Sequence, residues 1–188
     1  MIKKLLFWQP KKNFYQQIIG LKHGQFILLF SNYIIWVYLF FISFLLIRFD
    51  KNLFWQILIA TILSEVIEKY LKIKNFWRRP AFSQDTHVPQ GLIKSWYLKG
   101  SFPSGHTIKA VFFLLFVITT SVYSPILFIF ITSLLILFRV VIGFHYPIDV
   151  FGGIIIGTLI WWLSTFIIMP PVINHLIELV FNFVFFIK

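Results

Sequence analysis

From Phe26 to Ile47 the chain runs for 22 residues without a charge, between Lys22 and Arg48. A helix crossing a bilayer needs about 20 apolar residues, and lipid offers no partner to free backbone groups, so such a run must be helical. Comparable runs follow. Leu53–Leu71 is apolar to Leu63 and then carries Glu65, Glu68 and Lys69. Thr107–Val122 holds Lys109 near its start, Ile126–Ile142 holds Arg139 near its end, and Val150–Met169 has no charge. Overall 59% of residues are hydrophobic and 12% charged, against about 45–50% and about 25% in soluble domains. That composition argues against a soluble globule and against a disordered chain. The expected fold is all-α: a polytopic membrane bundle of five to six transmembrane helices with an N-terminal interfacial helix.

The chain reads as one domain over residues 1–188. Residues 1–25 form an interfacial segment, in which Asn13–Leu21 is expected to be helical with Phe14, Ile18 and Leu21 on one face. The apolar stretch after Lys3 and Lys4 is too short for a signal peptide. Residues 26–169 form a five-span core. The stretch Val172–Ile187 is about a turn short of a span and contains Asn174, His175, Glu178 and Asn182. It packs on the bundle, lies at the interface or spans as a sixth helix. The longest polar connection is Ala81–Phe102, a length that in a compact bundle marks a functional or disordered loop.

Seventeen Lys and Arg face six Asp and Glu, a net charge of +11. These cations lie between apolar blocks too long for a soluble core, which argues against nucleic acid and for anionic headgroups or a phosphorylated ligand. There are no cysteines, which excludes disulfides and thiolate chemistry.

Three polar clusters carry the chemistry. Lys72, Arg78, Arg79 and Pro80 close the second run; Ser101, Pro103, Ser104, Gly105 and His106 open the third; Arg139, His145 and Asp149 span the junction of the fourth and fifth. Successive spans alternate direction, so all three clusters open on one membrane face. Cations at the edge of a low-dielectric region are costly unless paired. Glu65, Glu68 and Asp149 can pair some of Lys72, Arg79 and Arg139; a bound polyanion would pair them all. Ser104 can cap a helix or offer its hydroxyl, Gly105 lets an oxyanion approach the backbone, and the helix N-terminus favours an anion. His145 and Asp149 are four apart; on a helix they would share a face, with Asp149 orienting the imidazole. Two histidines around a three-cation cradle suit phosphoryl transfer through a histidine nucleophile.

The pattern K-x6-RP from Lys72, PSGH from Pro103, and R-x5-H-x3-D from Arg139 to Asp149 resembles the type 2 phosphatidic acid phosphatase superfamily of membrane lipid phosphatases and vanadium haloperoxidases. The resemblance implies that Lys72, Arg79, Ser104, Gly105 and Arg139 hold phosphate. It implies His145 as nucleophile, His106 as general acid and Asp149 as partner of His145. The third motif usually begins Ser-Arg; here it is Phe138-Arg139. Within the family, the size and the N-terminal segment resemble bacterial undecaprenyl-diphosphate phosphatases of the bacitracin-resistance type. Relatives acting on phosphatidic acid, phosphatidylglycerophosphate or lipid A phosphate carry the same motifs. The implied partners are a lipid phosphate substrate and membrane lipids. An inactive lipid-binding scaffold or transporter, suggested by Phe138 alone, is the reading from another class. The oligomeric state is not legible.

Other readings weigh against single residues. His106, His145 and Asp149 form a donor set zinc accepts, but three nearby cations would repel a dication, so no metal or cofactor is expected. Arg139 could instead tie helices through Glu65 or Glu68. Asp85 and His87 read as a solvated loop, Trp77 and Trp96 as membrane-interface belt residues outside the site. Lys74, Arg78, Lys94 and Lys99 either bind headgroups or are solvated. Lys109 either adds to the cradle or snorkels outward. His23 and His175 have no visible partners, and Gly152, Gly153 and Gly157 read as close-packing positions. Orientation gives conflicting signals. Lys3, Lys4, Lys11, Lys12, Lys22 and the basic loop from Lys72 to Lys99 share the site's face, which by the positive-inside rule would be cytoplasmic. The resemblance implies a bacterial inner membrane with the site on the periplasmic or extracellular face.

Overall fold

Proline cannot donate to a preceding turn but fits a helix's first position, and Pro125, Pro147 and Pro171 each open a helix. In the computed structural model, which describes residues 2–9, 14–83 and 93–187, all regular structure is helical. The helices are α1 (Ile2–Leu6), α2 (Phe14–Ile19), α3 (Gly24–Phe49), α4 (Asn52–Ile73), α5 (Ile93–Leu98), α6 (Gly105–Thr120), α7 (Pro125–Val141), α8 (Pro147–Thr165) and α9 (Pro171–Phe185), with a 3-10 turn at Pro80–Phe82. Each expected span thus has a helix. By length and composition, α3 and α8 can cross a bilayer, whereas α6, α7 and α9 are apolar but shorter. Asp85 and His87 lie outside the described residues.

The outward faces of α3, α7 and α8 are apolar, with Phe26, Phe40, Ile126, Phe130 and Leu159 all exposed, a surface suited to lipid. In a bilayer the hydrophobic effect would give such helices little drive to associate, so close packing would have to hold them. α6 sits at the centre and packs against α3, α4, α7 and α8. Its tightest neighbour is α8. A Cβ on Gly157 would lie 2.7 Å from the Ile108 carbonyl, and one on Gly153 would lie 3.0 Å from that of Ser104. The glycines therefore do set the helix separation, as their spacing suggests. Ile42, Leu46, Ile108, Phe112, Phe116 and Ile160 fill the core around α6. At the end away from the site, the Asn52 side chain donates to the Ile167 carbonyl and accepts from the Met169 amide, both at 2.9 Å.

One peripheral element, α2, differs from expectation. In α2 the buried residues are Tyr15 and Ile18, while Phe14 and Leu21 are exposed. Tyr15 turns inward because its ring meets Phe82 at 5.1 Å and Phe144 at 6.1 Å, at the edge of the polar clusters. α9 meets α3 through Phe181 and Phe185 against Phe44. His175 does have a partner: its Nδ1 lies 3.4 Å from the Glu178 carboxylate, one turn on.

Candidate active site

Backbone hydrogen bonds stitch the three clusters together. The Ser101 amide donates to the Trp77 carbonyl at 3.0 Å, the Ser104 amide to Asp149 at 3.1 Å, and the Ala81 amide to Gly143 at 2.8 Å. The last depends on a tight turn, in which Gly143 has φ +82°, a region favouring glycine. The amides of Phe144 and His145 both donate to the Arg139 carbonyl, so the end of α7 delivers His145 beside Arg79.

A cavity of about 580 Å³ opens where α4 and α7 end, α6 begins and α3 passes. Lys72, Arg79, His106, Arg139 and His145 all line it. The other three expected site residues stand behind the wall. Asp149 is fully buried beneath His145, with its Oδ2 3.5 Å from Nδ1. Ser104 caps α6, its Oγ accepting from the Thr107 hydroxyl at 2.9 Å and the Thr107 amide at 3.4 Å. Gly105 abuts the Glu68 carboxylate, which occupies the space a side chain at position 105 would need.

His145 and Asp149 do not share a helix face, because α8 begins only at Pro147. Asp149 lies in its first turn and accepts from the Tyr146 amide at 2.7 Å, and the chain folds back to bring the imidazole over it. Ser101 Oγ donates to the same carboxylate at 2.5 Å, and Trp77 Nε1 donates at 2.9 Å. This network directs Nδ1 of His145 towards the carboxylate and leaves Nε2 facing the cavity, 3.3 Å from Arg79 Nη1. Burial first, then the cations of Arg79, Lys72 and Arg139, hold the His145 imidazole well below its ordinary pKa, so at neutral pH the ring is uncharged and its Nε2 lone pair accepts from Arg79 Nη1. Arg79 is fixed by the carbonyls of Trp96 at 3.1 Å and Phe144 at 3.2 Å. Burial lowers its pKa to about 10, which leaves it a cation.

On the opposing wall His106 Nε2 lies 2.9 Å from the Asn32 carbonyl, and Arg139 Nη2 contacts both His106 nitrogens and the Asn32 side chain. Arg139 therefore ties α7 to α3 and α6, not to Glu65 or Glu68. Its Nε and Nη1 are buried with no hydrogen-bond partner among the described residues. A guanidinium left in that state is costly unless an anion completes it. Glu68 accepts from Lys72 and from Lys109, and Lys109 also pairs with Glu65 at 2.9 Å. Lys109 is thus a buried, paired member of the cavity wall and does not snorkel.

Trp77 and Trp96 correct the sequence reading: both belong to the site. Trp77 holds Asp149, and Trp96 holds Arg79, lines the cavity and meets Phe144 at 5.1 Å. Asn32 and Ser101 had no assigned role. Asn32 carried a signal, as an amide within an uncharged apolar run; Ser101 carried none beyond standing near PSGH. Lys99 lines the cavity, while Lys74 and Arg78 stack on Tyr70 and Tyr97. Among the described residues no three His, Asp or Glu side chains gather in a metal-ligand cluster.

Residues 53–170 match the PAP2 superfamily. The chain belongs to that superfamily. The matched stretch runs from the start of α4 past the end of α8 and so contains every PAP2 motif residue at the cavity, but not Asn32 on α3. No curated protein and no solved structure matches the chain. PAP2 membership makes phosphatase chemistry, often on lipids, the general expectation for this cavity.

Proposed function

We infer that this PAP2 protein is an integral membrane phosphatase with a five-span core, acting on a lipid-linked phosphate or diphosphate, with undecaprenyl diphosphate as the leading substrate. The observation carrying the reading is that two histidines share one cavity with Lys72, Arg79 and Arg139, where two buried Arg139 nitrogens lack partners. Lys72, Arg79 and Arg139 neutralise the non-bridging oxygens of the terminal phosphoryl group, and the α6 N-terminus at Ser104 and Gly105 assists once the Glu68 carboxylate gives way. The Nε2 lone pair of His145 attacks phosphorus, with Asp149 stabilising the imidazolium that forms. The bond from phosphorus to the leaving oxygen breaks, and His106, protonated once the substrate's negative charge offsets the Arg139 cation beside it, gives that oxygen a proton. His106 then takes a proton from water as the water attacks the phosphohistidine. The P–N bond breaks, and inorganic phosphate departs.

His145→Ala should abolish phosphate release from undecaprenyl diphosphate while the purified protein keeps its melting temperature in detergent. A variant retaining more than about a hundredth of the wild-type rate would contradict the nucleophile role. Phosphatidic acid, phosphatidylglycerophosphate and lipid A phosphate, assayed beside the diphosphate, decide the substrate by their relative kcat/KM. The proposed site faces outward from a bacterial inner membrane.

A further inference from the structure

A second cavity, of about 230 Å³, lies between α3 and α7 and shares Ile35, His106 and Arg139 with the first. Its other walls are Phe30, Ile34, Leu135, Phe138 and Ser31. The Ser31 hydroxyl is already donated to the Leu28 carbonyl at 2.8 Å. Beyond His106 and Arg139 at the inner end, the slot therefore presents hydrocarbon. Further from the site α3 and α7 are pinned, where the Tyr38 hydroxyl meets the Phe128 carbonyl at 3.2 Å and the Thr132 hydroxyl at 3.1 Å. Near Ile34 and Phe138 they part, and Phe30 is 58% exposed on that flank.

We propose that this slot holds the first carbons of a hydrocarbon chain joined directly to the phosphate or diphosphate, and so selects prenyl or alkyl phosphates over diacylglycerol phosphates. The proposal rests on the phosphatase reading and deepens it. If His106 protonates the leaving oxygen, the departing group must extend from the His106 side, which is where the slot begins. A diacylglycerol phosphate would bring ester carbonyls against Ile34, Leu135 and Phe138, where they would lose water and find no free donor. A plain hydrocarbon loses nothing there. The α3–α4 flank of the larger cavity is edged by Trp36, Glu65 and Lys69 and suits a polar headgroup. Phe138 then gains a role: it extends the apolar wall where the family motif has a hydroxyl.

Farnesyl diphosphate, dioleoyl phosphatidic acid and soluble p-nitrophenyl phosphate form the test panel. The wild type should favour farnesyl diphosphate over the phosphatidate by at least about 10-fold in kcat/KM, the scale on which an apolar pocket discriminates. Ile34→Trp and Leu135→Trp, which fill the slot, should each lower the ratio of farnesyl diphosphate to p-nitrophenyl phosphate kcat/KM by about 10-fold or more. A preference for phosphatidate, or a ratio unmoved in both variants, overturns the proposal. Position is read without turnover by a farnesyl diphosphate analogue bearing a chain diazirine, applied to His145→Ala. Crosslinks within residues 30–35 and 134–138 support the slot, and crosslinks confined to α4 or α9 overturn it. Such crosslinks in α3 and α7, with no phosphate released by wild type from any substrate, would defeat the phosphatase reading and keep the slot.

Discussion

The Asp149 carboxylate can orient His145 only because three donors hold the carboxylate itself: Ser101, Trp77 and the Tyr146 amide. Ser101→Ala and Trp77→Phe each remove one donor without touching the cavity wall. Each should lower kcat by roughly 10- to 100-fold, the usual effect of losing a group that positions a reacting side chain, with KM little changed. A kcat within two-fold of wild type, on the order of measurement error, would count against the network. The His145 pKa lies below its unfolded value of about 6.5. The unfolded chain therefore binds the proton first. Stability from this group is complete above about pH 6.5 and is lost as pH falls towards the folded pKa. The acid limb of kcat/KM, which reports the free enzyme, should likewise lie below about 6.5; a limb at or above that value would show His145 to be an ordinary imidazole. Most of these residues were legible from motif spacing, since Lys72, Arg79, His106, Arg139 and His145 do converge. Trp77 and Ser101 were not, because their roles exist only once the chain folds back over Asp149.

Helices were the more readable level. The uncharged run Phe26–Ile47 became Gly24–Phe49, and Ile126–Ile142 became Pro125–Val141. The start of α6 was legible through its Ser104 cap, but that of α8 was less visible. Hydropathy places it at Val150, whereas Pro147 opens the helix three residues earlier. That shift puts Asp149 inside the first turn of α8. Which helix faces touch cannot be read from apolarity when both lipid and core are apolar; the α6–α8 contact shows instead through its glycines. Gly157→Ala would force a methyl group against the Ile108 carbonyl, a backbone atom with little room to give. A loss of about 1–3 kcal/mol is expected, read as a lower melting temperature in detergent. Gly20→Ala, whose nearest neighbours would lie at 3.5 Å, should leave it unchanged. Equal effects at both positions would remove the packing argument.

At the scale of the molecule, the site gathers at one end of the bundle, and the α6–α7 connection at Ser124 marks the other. The absence of cysteine makes single-cysteine variants clean probes. With the proposed orientation, Lys74→Cys reacts with an impermeant maleimide in intact cells, and Ser124→Cys reacts only after lysis. The reverse pattern would put the site in the cytoplasm, as the lysine distribution suggests. Glu68 alters how such a site works. It already neutralises Lys72 and Lys109 at rest, with its carboxylate lodged against Gly105. Under the proposed function an arriving phosphate would trade places with a resident anion, and after hydrolysis the carboxylate would compete to reclaim its lysines and drive the product out. Glu68→Gln should make inorganic phosphate a several-fold stronger inhibitor, about the factor expected from losing one charged competitor, and an unchanged inhibition constant would mean that no such exchange takes place.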